Sequence, residues 1–415
     1  MKLNRRRLLA SLGLTLLSAL AFGCNNTGGD TSATTGTTGK TGTVSNTGGG
    51  NGNPQSGDTI KVGAYLSLTG SEADFGKQTR TGILMAIDKI NTAGGINGKK
   101  IEAVIENDEG DAGKTANAVT KLVSQDKVVS VLGEIASSLS LRAAPICQNA
   151  KVPMVTPSST NVDVTKQGDY IFRVCFIDSF QAYVQAKFIA ETLKLKKVAF
   201  MLDSQSAYSQ GLGKEFKEQF TKMGGQVVAE TSYSPNDTDF KGPLTSIKTA
   251  NPDIIYLPGY YKSAGAIATQ AREIGITVPF MGGDGWDVPA LFTSAGTSLE
   301  GSYFSDHIAL DRPTPALTAF QQEFETFKTK PGNADASFGA LTTLGYDAMM
   351  ILGEAMKKAK TMDGIAIHEA LAQTKDFAGV TGSITIDAER NAKKSAVVVK
   401  IVGKEFKWQA DVLPQ

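Results

Sequence analysis

Histidine and cysteine are scarce: the 415 residues hold two histidines, His307 and His368, and three cysteines, Cys24, Cys147 and Cys175. So few leave clustered His/Cys metal sites and Ser-His-Asp or Cys-His catalysis little to draw on. No charge of one sign dominates either. There are 42 Lys and Arg against 41 Asp and Glu, and Lys2, Arg5, Arg6 and Arg7 fall in the first 24 residues, so the remainder has 42 − 4 = 38 cations, a balance of −3. A near-neutral surface carries no electrostatic footprint for nucleic acid. The GxGxxG fingerprint and the GxSxG nucleophile elbow are absent. Gly110 to Lys114 has two residues between its glycines where a phosphate-binding loop needs four, and Gly70 to Gly76 has five and is followed by Lys77-Gln78 rather than Lys-Ser or Lys-Thr. Dehydrogenase, kinase and serine hydrolase chemistry have no anchor, and neither a catalytic residue nor a cofactor or metal is expected.

Long hydrophobic runs are missing too. The longest, Leu8 to Phe22, is shorter than the roughly 20 residues of a membrane span, and it follows a basic stretch and precedes Gly23-Cys24, as in an export signal. Ala21-Phe22-Gly23-Cys24 is similar to the bacterial lipobox, in which the Cys24 thiol is acylated. Asn4-Arg5-Arg6-Arg7 admits a twin-arginine route beside the general one. Residues 25–57 then contain 10 Gly, 9 Thr, 5 Asn and 3 Ser, a composition unable to bury a core; as a flexible linker it would reach roughly 30 Å. Residues 1–24 are therefore read as a signal ending at a lipidation site, and 25–57 as a tether. The expected location is the periplasm or the outer face of the membrane.

From Asp58 onward the chain reads as an ordinary fold, since 41% of the sequence is hydrophobic and 20% charged, and its length suggests two or three domains. Thr59 to Leu66 alternates apolar residues as a strand does, and Ile83, Leu84, Ile87 and Ile90 recur at helical spacing before Gly94-Gly95. The alternation continues through strands at 101–105, 128–132 and 152–155, then restarts with strands at 197–202, 226–231 and 253–257. Gly133 precedes Val152-Pro153 by 19 positions, and Gly259 precedes Val278-Pro279 by 19. Strand–helix alternation means a mostly parallel sheet covered on both faces, and the repeat means two copies of one α/β unit with a cleft between them.

Ligands of open parallel sheets sit beyond the carboxyl ends of the strands. In the first half those ends carry Ala136-Ser137-Ser138 and Pro157-Ser158-Ser159-Thr160, hydroxyls and backbone N–H groups suited either to a small carboxylate or to plain helix capping. In the second half they carry Tyr208, Tyr260 and Gly282-Gly283-Asp284-Gly285-Trp286, where an acid between glycines suits an ammonium group or a simple turn. Phe75 and Trp286 are cleft-wall candidates, with core packing as the alternative. Whether Cys147 and Cys175 pair is open.

These residues bring a family into view. TIKVGAYLSLTG, NTAGGINGKKI, LGEIASS, VPMVTPSST, DYIFRVCFID, YLPGYY, FMGGDGW and LGYDA, in order from about Asp58, are similar to the solute-binding proteins of branched-chain amino-acid ABC transporters, the Leu/Ile/Val-binding type. The resemblance implies an α/β fold of the type I periplasmic-binding class: two Rossmann-like lobes with parallel sheets, joined by three crossovers and closing over a ligand. Lobe 1 would use residues 58–178 plus 307–384 and lobe 2 residues 179–306 plus 385–415, with crossovers near Phe176–Ser179, Ser305–Ile308 and Val380–Asp387. It also implies that Ser137 binds the ligand carboxylate, that Ser158 and Thr160 contact the carboxylate and α-ammonium, and that Asp284, usually Glu, pairs with the ammonium. Tyr208, Tyr260 and Phe75 match aromatic positions, Ala136 and Gly285 flank the motifs, and Trp286 would alter the pocket. The disulfide common in enteric members has Gly110 and Ala136 at its two positions. The expected protein is a monomeric, lipid-anchored binder of a small α-amino acid, branched-chain type, that serves an ABC permease. The alternative is the same fold holding an amide, urea or another neutral solute, for uptake or for sensing.

Overall fold

The computed structural model describes residues 59–414; residues 1–24, read as an export signal ending at Cys24, and 25–57, read as a linker, lie outside the described residues. Among those residues no helix is long and apolar enough to cross a membrane. Five strands, β1 (Thr59–Leu66), β2 (Lys100–Asn107), β3 (Val131–Leu132), β4 (Met154–Thr156) and β5 (Ile171–Arg173), form one wholly parallel sheet in the order β2-β1-β3-β4-β5. A second sheet repeats that order with β6 (Lys197–Asp203), β7 (Gln226–Tyr233), β8 (Ile254–Tyr256), β9 (Phe280–Gly282) and β10 (Tyr303–Asp306), arranged β7-β6-β8-β9-β10. Two parallel sheets of one strand order bear out the two-copy reading. Gly133 follows β3 and Gly259 follows β8, while the two Val-Pro pairs lead into β4 and β9.

Each sheet is sandwiched by helices whose apolar stripes set their packing. Helix Ala73–Thr92 buries Phe75, Ile83, Ile87 and Ile90. Opposite it, helix Ala340–Lys358 approaches so closely that a Cβ on Gly82 would lie 2.0 Å from the Thr342 carbonyl oxygen. That contact ties the late helices to the first lobe although some 250 residues separate the two segments.

The chain passes between lobes three times. The first crossing leaves β5 for helix Asp178–Lys187, which joins the second lobe: Gln185 Nε2 donates to the Gly282 carbonyl oxygen (2.9 Å) and Ser305 Oγ (2.8 Å). The second follows β10 into helix Pro315–Lys328, which returns to the first lobe, where Glu323 pairs with Lys89 at 2.8 Å. A small antiparallel sheet comes next, from β11 (Phe377–Gly379), β12 (Gly382–Ile386) and β13 (Ala392–Lys393). The third crossing leads from it into β14 (Ala396–Val402) and β15 (Glu405–Val412), antiparallel additions beside β10. The expectation that lobe 2 resumes at residue 385 is corrected here. Residues 385–393 stay with the first lobe because Arg173 N donates to the Arg390 carbonyl oxygen (3.2 Å), and Thr165 Oγ1 to Asn391 Oδ1 (3.1 Å). The crossing itself is Lys394-Ser395. Cys147 and Cys175 are both buried and carry no disulfide.

Candidate functional site

The order β2-β1-β3 reverses direction at β1, and the loops after β1, β3 and β4 meet at that switch point. After β3 the chain turns into helix Ser137–Ala150, so Ser137 stands at the positive end of a 14-residue helix. Its Oγ accepts from Asn161 N at 3.3 Å. After β4 the string Pro157-Ser158-Ser159-Thr160 splits by direction. Ser159 turns inward, with its Oγ 3.0 Å from the carbonyl oxygens of Glu134 and Ile135 and 2.7 Å from Ser140 Oγ. Ser158 and Thr160 turn toward the cleft, and Thr160 Oγ1 is buried with no hydrogen-bond partner among the described residues.

Glu134, part of the string LGEIASS but given no role from the sequence, supports this wall from behind. It is fully buried and accepts from Ser67 N (2.9 Å), Ser67 Oγ (2.9 Å), Ile135 N (2.8 Å) and Ala136 N (2.7 Å). Burial, then the neighbouring Asp108, pushes its carboxyl up to about 8. These bonds fix the loop after β1 against the loop after β3.

The facing wall comes from the second lobe. Asp284 opens a short turn after β9, and its side chain is 7% exposed. Oδ1 accepts from Gln181 Nε2 at 2.8 Å and from Tyr208 Oη at 2.9 Å; Oδ2 lies 3.3 Å from His307 Nε2. Burial, with Asp284 adding to it, pushes the Tyr208 phenol well above its ordinary value, so it stays protonated and donates. Burial lowers His307 to about 4. The backbone must come close for this arrangement to exist: a Cβ on Gly283 would lie 2.2 Å from Tyr208 Oη, and one on Gly285 2.8 Å from the Gly259 carbonyl oxygen.

Between the walls is a tight cavity of about 10 Å³ lined by Phe75, Ile135, Ser137, Ser158, Thr160, Tyr208, Tyr260, Asp284, Gly285 and Leu341. That is about the room of one water, so the walls are nearly in contact and the chemistry of the lining, not its volume, indicates the kind of solute. Phe75 meets Tyr260 edge-on (5.9 Å between ring centroids), and Tyr208 stacks on Tyr260 at 5.4 Å. A more open recess of about 320 Å³ lies outside the cleft beside the crossings, against Phe176, Tyr183, Asp387 and Lys394. It contains neither the strand-end hydroxyls nor Asp284, and convergent chemistry rather than size singles out the smaller cavity. The lobes touch around the cleft: Ala207 N donates to Ser138 Oγ (3.0 Å), Asn161 Nδ2 to the Ala207 carbonyl oxygen (2.7 Å), and Tyr261 Oη lies 2.8 Å from the Ser71 carbonyl oxygen.

The family model for periplasmic binding proteins matches residues 59–404. The chain belongs to the periplasmic binding protein family. It is 32% identical to a leucine-, isoleucine-, valine-, threonine- and alanine-binding protein of Pseudomonas aeruginosa over 355 residues, 85% of this chain and 91% of the relative. Among solved structures it is similar to the leucine binding protein LivK of Thermotoga maritima, at 35% identity and a TM-score of 0.80, covering 86% of this chain and 99% of that one. It is also similar to the branched-chain amino-acid transporter substrate-binding protein LivJ of Streptococcus pneumoniae, solved with isoleucine, at 34% identity and a TM-score of 0.77, covering 85% and 98%. The two-lobe architecture with three crossings is thus that of the type I class.

Of the ten positions read from the sequence of this binding protein, the cavity gathers eight: Phe75, Ser137, Ser158, Thr160, Tyr208, Tyr260, Asp284 and Gly285. Two lie elsewhere. Trp286 is fully buried, pressed on Gly282 and Phe304, because the turn beginning at Asp284 swings it into the second lobe's core. Ala136 is backbone support, its N–H given to Glu134 and its carbonyl oxygen accepting from Leu139 N and Ser140 N. Ile135, within LGEIASS, and Leu341, outside every quoted string, complete the apolar lining; the sequence singled out neither.

Proposed function

We propose that this periplasmic binding protein captures an α-amino acid with a small aliphatic side chain between its lobes and delivers it to an ABC importer. The observation that carries this reading is one cavity with three chemically different sides. Ser137, Ser158 and Thr160, with a helix N-terminus, offer donors to a carboxylate; Asp284 offers an acceptor to an ammonium; Phe75, Ile135, Tyr260 and Leu341 offer apolar surface between them. A neutral amide or urea would leave a buried carboxylate without a counter-charge. The amino-acid ligands of the relatives fit the same division. Binding stabilises the closed lobes because only there does the solute meet both walls, and the permease reads that closed state.

Cys24 as a lipid anchor, residues 25–57 as its tether, and a monomer working from the outer face of the membrane complete the reading; the lipobox-like residues support it. Titration calorimetry of the protein, unfolded and refolded to strip retained solute, against leucine, isoleucine, valine, alanine, glutamate, acetamide and urea tests it. Micromolar or tighter binding of an aliphatic amino acid is expected. Binding of acetamide or urea alone would overturn the assignment of Asp284.

A further inference from the structure

Asp284 has more partners than a carboxylate waiting for a cation needs, and their chemistry is informative. Each comes from a different segment: Gln181 from the helix after the first crossing, Tyr208 from the helix after β6, and His307 from the residue next after β10 at the second crossing. All three are neutral donors. An amide and a phenol satisfy Oδ1 completely, which leaves Oδ2 with His307 as its one partner among the described residues. The remaining lone pair of the carboxylate therefore belongs to Oδ2. Its direction is set by the bond from His307.

His307 is itself rigidly held. Its side chain is 1% exposed, and its ring stacks on Phe176 of the first crossing with 3.8 Å between centroids and 26° between planes. An ionised carboxylate only accepts, so the proton on the neutral ring resides on Nε2, and Nδ1 is left as a buried lone pair without a partner among the described residues. Lysine or arginine at this place would orient Asp284 equally well but would cancel its charge and compete with the solute's ammonium. A neutral ring orients without neutralising.

We infer that His307 is a positioning residue for ammonium recognition: as a neutral donor locked between the two crossings, it aims the free lone pair of Asp284 into the cleft while leaving the acid's charge for the ligand. The inference rests on the reading that Asp284 takes the ammonium. It goes beyond that reading in naming a specificity residue that does not itself line the cavity.

The test pairs two probes of one carbon skeleton, leucine and 2-hydroxy-4-methylpentanoate, which lacks the ammonium. For His307→Phe, which keeps the ring and loses the donor, the Kd for leucine should rise about tenfold, the effect of one hydrogen bond to a charged group, while that for the hydroxy acid changes less than twofold. His307→Gln, which restores an N–H near the Nε2 position, should recover most of the leucine affinity; His307→Asn, too short to reach, should not. Equal losses for both probes would reduce His307 to a packing residue and overturn the inference, as would a leucine Kd unchanged in His307→Phe. If the phenylalanine variant fails to fold, the comparison of Gln with Asn decides, and equal affinities for leucine would overturn it. A parent protein that prefers the hydroxy acid to leucine fails differently, because it removes the ammonium reading and the role of His307 together.

Discussion

The two walls of the cleft solve opposite problems by unlike means. On the proposed reading the first lobe would meet an anion with three hydroxyls and the positive end of helix Ser137–Ala150 rather than with a full positive charge. The second would meet a cation with the carboxylate of Asp284, held by neutral donors. Dipoles alone would accept almost any small carboxylate. On that reading Asp284 would supply the discrimination, because a solute with a carboxylate and no ammonium leaves its charge hydrogen-bonded but without a counter-charge. Selectivity for a zwitterion would then rest mainly on the second wall, and affinity on both.

Breaking the second wall should have the largest effect. Asp284→Ala removes one partner of a buried charge pair, which costs about 2 to 5 kcal/mol, so the calorimetric Kd for leucine should rise at least thirtyfold. 4-Methylpentanoate, the deaminated skeleton, should bind the variant no worse than it binds the parent. A leucine Kd that stayed within threefold would dissociate Asp284 from the ammonium.

The same wall carries a pH signature. His307 has a folded value near 4 against an ordinary 6.5, so between those values the unfolded chain binds a proton that the folded protein does not. Stability from this group is full above about 6.5 and falls as pH drops toward 4, by about 3 kcal/mol in all. Asp178, Asp287 and Asp306, all raised by burial, slope the opposite way. The quantity to measure is therefore the difference in denaturant-unfolding free energy between the parent and His307→Phe. It should shrink as pH falls from 6.5 to 4; a constant difference would mean that the ring is not held neutral.

On the first wall, adjacent hydroxyls separate affinity from stability. Thr160→Ala deletes a cleft-facing donor with no partner among the described residues and should weaken leucine binding about tenfold with little change in unfolding midpoint. Ser159→Ala deletes the hydroxyl that links the Glu134 and Ile135 carbonyl oxygens to Ser140, and should lower stability by about 1 to 3 kcal/mol with a smaller change in Kd. Reversal of the two outcomes would mean that the string faces the other way.

How legible these walls are in the sequence depends on where their parts lie. Ser137, Ser158 and Thr160 sit in short strings at strand ends, and Asp284 sits among glycines, so strand periodicity and local composition lead to those strings, while the choice of residues within them rests on the family resemblance. The supports of Asp284 cannot be found that way. Gln181, Tyr208 and His307 are 103, 76 and 23 residues from it, and only the crossings bring Gln181 and His307 to one carboxylate. Glu134 is one acid within LGEIASS, and only the fold brings Ser67 of another loop to it beside the N–H groups of Ile135 and Ala136. Trp286 misleads because two residues of a turn are enough to reverse a side chain from cleft to core. The third crossing misleads for a related reason: β13 is two residues long, and a strand that short has no periodicity from which to say which sheet it joins.

The smallest expected effect concerns what the walls share, the contacts that close them. Tyr261 reaches from the second lobe with its Oη 2.8 Å from the Ser71 carbonyl oxygen and 3.0 Å from Asp74 Oδ2, so one phenolic proton is shared between two first-lobe acceptors. It does not line the cavity. Tyr261→Phe keeps the ring's edge contact with Phe75, at 5.0 Å, and removes only the bond across the cleft. Losing about 1 kcal/mol of closed-state stability should raise Kd about fivefold. The change should appear in the dissociation rate measured by stopped-flow fluorescence, and equally for every solute. A loss for leucine alone would place Tyr261 among the recognition groups instead, and an unchanged rate would mean that closure is held by Ala207, Ser138 and Asn161 without it.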